Sequence, residues 1–135
     1  MKIVQGGQPE TRPRLTRNSK IFRTIIAAMM DKKGEQIHSL NLKHIPEAIA
    51  DYFVLCEAGN PNLLKAIADN VEKKVLEECG EKPFRMEGKQ GEKWLLVDYG
   101  DIVVHCMLPE TRAFYNIEEL WHDAEKKEHT PLHAF

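Results

Sequence analysis

Residues 94–109 read Trp94-Leu-Leu-Val-Asp-Tyr-Gly-Asp-Ile-Val-Val-His-Cys-Met-Leu-Pro109. Two β-rich runs, Lys93–Val97 and Ile102–Leu108, flank Asp98-Tyr-Gly-Asp101, whose aspartates and glycine favour a turn, and Pro109 ends the second run. Upstream, Phe84–Glu87 is set off by Gly88-Lys-Gln-Gly91, so two consecutive hairpins are expected. Side chains alternate along a strand, which puts Trp94, Leu96 and Asp98 on one face.

Working outward, Asp51-Tyr-Phe-Val-Leu-Cys56 is apolar on both faces and reads as an interior strand, while Gln36–Leu42 alternates weakly. Ile21, Phe22, Ile25, Ile26 and Met29 recur at helical spacing behind an Asn18 or Ser19 cap and stop at Gly34. A second helix starts at Gly59-Asn-Pro-Asn62, with Asn60 as cap and Pro61 in the first turn. Leu64, Ile67, Ala68, Val71, Val75 and Cys79 form its apolar stripe, and Gly80 closes it. Its other face, with Glu72, Lys73, Lys74, Glu77 and Glu78, reads as solvated. Asn116-Ile-Glu-Glu119 has capping-box spacing for a short helix through Leu120 and Trp121. The expected fold is α/β, a mixed five-stranded sheet with helices packed on it. Three regions are expected: a basic flexible arm over 1–18, one domain over 19–124, and a flexible tail over 125–135 where the period is lost and Pro131 intervenes.

The chain has 135 residues, 42% of them apolar, and a formal charge of −2, so no global positive field exists to hold naked nucleic acid. The basic residues Lys2, Arg12, Arg14, Arg17 and Lys20 concentrate in the first twenty residues, opposed only by Glu10. No apolar run is long enough for a membrane span or a secretory signal. Cys56, Cys79 and Cys106 form no C-x-x-C pair, which suits reduced thiols and a cytoplasmic protein.

Catalytic signatures are sparse. Ser19 and Ser39 are the only serines, and neither sits in a G-x-S-x-G turn. His105 and Cys106 are adjacent on a strand and so point to opposite faces, the cysteine into the core and the histidine to the surface. Phosphate-loop and dinucleotide glycine motifs are absent. His129 and His133 have helical spacing for a shared metal, but Pro131 lies between them. Asp98 and Asp101 could hold a divalent cation, although turn chemistry accounts for both. That leaves Trp94 beside Asp98: an exposed indole with a carboxylate rim would suit a basic protein partner.

Four segments together carry a family resemblance: Ala50-Asp-Tyr-Phe-Val-Leu55, Ala66-Ile-Ala-Asp69, the Trp94 to His105 block, and Arg112-Ala-Phe-Tyr-Asn-Ile-Glu-Glu-Leu-Trp-His-Asp-Ala124. Over about residues 19–124 the chain resembles the Iojap-related ribosomal silencing factors (RsfS). The resemblance implies a non-enzymatic factor without cofactor or metal, with a nucleotidyltransferase-like topology that lacks its active site. It implies a homodimer that binds the large ribosomal subunit through the fourteenth large-subunit ribosomal protein. By blocking small-subunit joining, such a factor represses translation when nutrients are scarce. The matching positions in the hairpin, Trp94, Leu95, Asp98, Tyr99 and Asp101, become the expected partner-binding residues. Two departures stand out. The Gly59–Asn62 loop lacks the small polar residue the family often has after its glycine, and the basic arm is longer than usual, which suggests contact with ribosomal RNA. Two other functions are compatible with the residues: a metal-dependent nucleotidyltransferase using Asp98 and Asp101, and a dimeric RNA-binding module using the arm with Lys73 and Lys74.

Overall fold

The computed structural model describes residues 15–134. Ten elements follow in order: α1 (Lys20–Asp31), β1 (Glu35–Asn41), β2 (Tyr52–Glu57), α2 (Pro61–Cys79), β3 (Arg85–Lys89), β4 (Trp94–Asp98), β5 (Ile102–Met107), α3 (Pro109–Tyr115), α4 (Ile117–Leu120) and β6 (Glu125–His129). The strands form one mixed sheet in the order β3-β4-β5-β2-β1-β6, with β2 and β5 parallel and every other neighbouring pair antiparallel. Both expected hairpins are present, β3 to β4 and β4 to β5.

The helix signals explain where the chain turns. In α2, Asn60 Oδ1 accepts from the Leu63 N–H at 2.9 Å, Pro61 opens the helix, and Gly80 leaves it at φ 68°. At the end of α1 the left-handed residue is Lys33, at φ 63°. Gly34 serves close approach instead, because a Cβ there would lie 3.2 Å from the Met29 carbonyl and 3.5 Å from Cys56 Sγ. The capping box at Asn116 is not formed. Asn116 both ends α3 and starts α4, and at φ 48° its backbone is not in the extended conformation that an N-cap needs, so its side chain makes no cap bond.

Helices α1 and α2 cover one sheet face, burying Phe22, Ile25, Ile26, Leu64, Ile67 and Val71 against Tyr52, Val54, Cys56, Ile102, Val104 and Cys106. Each fully buried aliphatic side chain contributes about 1.5–3 kcal/mol. The opposite face is covered in part by α3, α4 and the turn after them, where Ile117, Trp121 and Ala124 pack on Leu40, Leu55 and Met107. Strand β5 is therefore buried at all six positions. This corrects the expectation of a surface histidine: His105 and Cys106 do face opposite ways, but both faces are covered and His105 is only 4% exposed.

Two further expectations change. The sheet has six strands, because Glu125–His129 pairs antiparallel with β1 where a frayed tail is expected. The last residues of the expected arm are also packed: Leu15 is buried, and Arg17 bridges β1 and β6, its Nε donating to Ser39 Oγ at 2.8 Å and its guanidinium to the Glu125 carbonyl at 3.0 Å. Buried Ser39 then meets His129 Nε2 at 2.8 Å, and His129 Nδ1 meets the Ala134 carbonyl. A hydrogen-bond relay thus ties β6 to the sheet. The arm expectation for residues 1–14 lies outside the described residues.

Truncation after Ala124 should therefore destabilise the fold by on the order of 3–5 kcal/mol, from the lost ladder bonds and the relay. Chemical denaturation checks this, and an unchanged midpoint would show that 125–135 is a dispensable tail. Stability should also fall in acid. Burial pushes the His105 ring from 6.5 down to about 3 and lowers His129 as well. Below about pH 6.5 the unfolded chain takes up protons that the folded chain refuses, so stability drops by up to about 1.4 kcal/mol per pH unit for each proton. The His105 share is exhausted near pH 3. Urea midpoints measured near pH 7.5 and pH 5 should differ in that sense; equal midpoints would contradict it.

Candidate docking surface

Alternation along β4 divides the expected binding residues between two faces. Trp94 and Asp98 point to the side of α3 and α4, with Leu96 between them. Leu95 packs on the opposite, helix-covered core, and Tyr99 is 3% exposed in that same core. Burial of the Tyr99 ring raises its phenol pKa, followed by smaller contributions from Glu72, Glu81 and Cys79. Neither Leu95 nor Tyr99 shares a surface with Trp94. Asp101 anchors the loop: its backbone carbonyl accepts from the Asp51 N–H at 2.8 Å and the Tyr52 N–H at 3.0 Å, fastening the turn to the start of β2.

Asp98 is largely committed within its own hairpin. One carboxylate oxygen accepts from the Gly100 N–H at 2.7 Å, stabilising the turn, and the other lies 3.3 Å from Arg85 Nε. Arg85 also pairs with Glu87 at 2.7 Å, and Lys89 Nζ stands 3.6 Å from Glu87. The carboxylate rim expected around the indole is therefore interleaved with two cations.

The indole itself sits in a run of aromatic side chains. Trp94 is half-buried, and its Nε1–H donates to His105 Nδ1 at 3.1 Å. The Phe53 ring meets His105 edge-on at 4.7 Å, and the Tyr115 ring stands 5.2 Å from Trp94. Phe114 then meets Tyr115 edge-on at 4.9 Å. Lys89 Nζ lies 5.7 Å from the centre of the indole. Phe114 is 80% exposed and Tyr115 39% exposed, so the run ends in aromatic surface open to solvent. Phe114 and Tyr115 are absent from the residues expected to bind. The only signal for them is a pair of adjacent aromatics behind Pro109, which opens α3 as well as ending β5.

Arg112 holds that helix in place. Its guanidinium is buried and grips Glu118 of α4 through two bonds, Nε at 3.1 Å and Nη2 at 2.7 Å. Nη1 donates at 2.7 Å to the carbonyl of Gln36, where β1 breaks register and Gln36 takes φ 49°. Nη1 also lies 3.4 Å from Glu57. His38 Nδ1 is 3.0 Å from the same Glu118. The His38 hydrogen bond, and then the Arg112 pairing, hold the Glu118 carboxyl far below the usual carboxylate range.

Among the described residues, no group of three or more His, Cys, Asp and Glu is placed to hold a metal ion. In the same residues no helix is long and apolar enough to cross a membrane.

Known proteins resemble this chain in sequence and in fold. It is 41% identical over 107 residues to the ribosomal silencing factor RsfS of Halalkalibacterium halodurans, covering 79% of this chain and 90% of that one. It is 38% identical over 104 residues to the RsfS of Bacillus subtilis, covering 77% and 86%. A crystal structure of a Chromobacterium violaceum protein superposes with a TM-score of 0.70 at 35% identity, covering 76% of this chain and 84% of that one. The family model described as ribosomal silencing factor during starvation matches residues 16–134, and the chain accordingly belongs to the RsfS family of ribosomal silencing factors.

Proposed function

We propose that this protein binds the large ribosomal subunit through the fourteenth large-subunit ribosomal protein, on the face that meets the small subunit, and so prevents joining when nutrients are scarce. The proposed contact is the surface made by Trp94, Phe114 and Tyr115, with Asp98 at its border. One observation carries this reading: the half-buried indole of β4 continues into solvent-exposed aromatic surface on α3, which is anchored by a buried ion pair. Large aromatic side chains in a rigid setting are the usual centres of interface energy, because they bury area at little cost in rotamer entropy.

The mechanism is steric and forms no bond. A domain of this size is roughly 35 Å across by compactness scaling, enough to obstruct an intersubunit contact. The metal-dependent alternative gains nothing from the positions of Asp98 and Asp101, since the first is occupied by Arg85 and the turn amide. A homodimer, a cytoplasmic location and an RNA contact by residues 1–14 complete the proposal. The contact rests on the basic residues there.

Replacing Trp94 by Ala should weaken binding to purified large subunits about thirtyfold, the effect of losing an interface anchor of about 2 kcal/mol. Sucrose-gradient sedimentation reads both this and the inhibition. The native chain should travel with free large subunits and lower the fraction of joined ribosomes when small subunits are added. Undiminished co-sedimentation of W94A would remove the indole from the contact, and migration of the native chain with joined ribosomes would overturn the steric mechanism.

A further inference from the structure

We infer that His105 is a positioning residue for docking: it supplies a built-in acceptor for the Trp94 indole N–H, so that a partner can cover the indole without stranding that donor. The inference rests on the docking surface proposed above and adds a residue to it.

The hydrogen bonding around the ring motivates this. His105 Nδ1 accepts from Trp94 Nε1–H, so the neutral ring carries its own proton on Nε2. That nitrogen is buried and has no hydrogen-bond partner among the described residues. A buried N–H without an acceptor costs stability, and an apolar side chain of similar size would avoid the cost. Packing alone therefore does not explain a histidine here. Its neighbours on the strands to either side, Leu96 and Leu55, are both apolar.

What the histidine does that an apolar side chain could not is complete the bond to Trp94. In the free protein the half-buried indole still borders solvent, so water is an alternative acceptor for its N–H. Once a partner covers the indole, water is gone, and an N–H without an acceptor would subtract from the affinity. With His105 in place the polar edge of the indole stays tied to β5, and the apolar remainder of the ring is what a partner meets. The Phe53 edge at 4.7 Å holds the imidazole from its other side. Burial keeps this ring unprotonated in neutral solution, so its acceptor lone pair is always available.

The effect should consequently appear in binding and not in folding, which separates it from a structural role. The test uses the full chain with His105→Leu and His105→Asn, the asparagine offering Oδ1 near the place of Nδ1, and measures affinity for purified large subunits beside the thermal midpoint. H105L is expected to keep or raise the midpoint while binding about fivefold more weakly, the value of one ordinary hydrogen bond. H105N is expected to recover most of that affinity. The chain has two tryptophans, so in a Trp121→Phe background the emission of Trp94 alone can be followed. It should change in H105L and return towards the native spectrum in H105N.

Native affinity of H105L, beside a weakened W94A, would overturn the inference and leave the docking surface standing. Equal losses of affinity in both His105 variants, with a lowered midpoint, would also overturn it, since that pattern is structural. Native affinity of W94A would overturn the docking surface and this inference with it.

Discussion

The surface assigned to docking exists because Arg112 is buried. Its guanidinium donates to Glu118, Glu57 and the Gln36 carbonyl, and in doing so ties α3 and α4 to the start of β1 and the end of β2. Without that clamp, helices of seven and four residues would have little reason to persist, since isolated turns of that length are unstable in water. Removing one member of such a pair leaves a buried charge uncompensated, which costs far more than the pair itself contributes. The clamp also brings Tyr115 beside Trp94, with Phe114 against Tyr115, although the tryptophan belongs to a different element. The aromatic surface is thus a tertiary product of two chain segments joined by electrostatics.

The same architecture divides the β4–β5 hairpin into a structural face and a candidate binding face. Leu95, Val97 and Tyr99 go into the core under α1 and α2, while Trp94, Leu96 and Asp98 lie on the opposite face of the sheet, where Trp94 meets Tyr115 of α3. Strand β5 behind them is covered on both sides, and this creates the unusual site of His105, a polar ring in an apolar strand with one nitrogen used and one without a hydrogen-bond partner among the described residues. A relay through Arg17, Ser39 and His129 plays the corresponding structural role at the other edge of the sheet, closing β6 onto β1.

Local chemistry made much of this legible in the sequence. Asp98-Tyr-Gly-Asp101 announces its turn, Gly88–Gly91 announces one that falls two residues later, over 90–93, and Asn60, Pro61 and Gly80 bracket α2 at both ends. Non-local pairing hid the rest. Strand β6 reads Glu-Lys-Lys-Glu-His, with no apolar alternation, because it is an edge strand held by backbone bonds and by His129. Helix α3 follows directly on a proline that reads as a strand terminator but is also the favoured first residue of a helix. For the candidate site, period two correctly grouped Trp94 with Asp98. It also separates Leu95 and Tyr99 from them, which a reading by motif alone does not register. Phe114 and Tyr115 were beyond reach, since nothing local says that Arg112 will fold them back against β4.

We propose this aromatic surface as the part of the molecule that meets the ribosome. Photo-crosslinking from the full chain tests it most directly, with a photo-reactive phenylalanine analogue placed at Phe114 and, as control, at Glu77 on the exposed side of α2. An adduct between position 114 and the fourteenth large-subunit ribosomal protein is expected, and none from position 77. Adducts from position 77 with silence at 114 would contradict it.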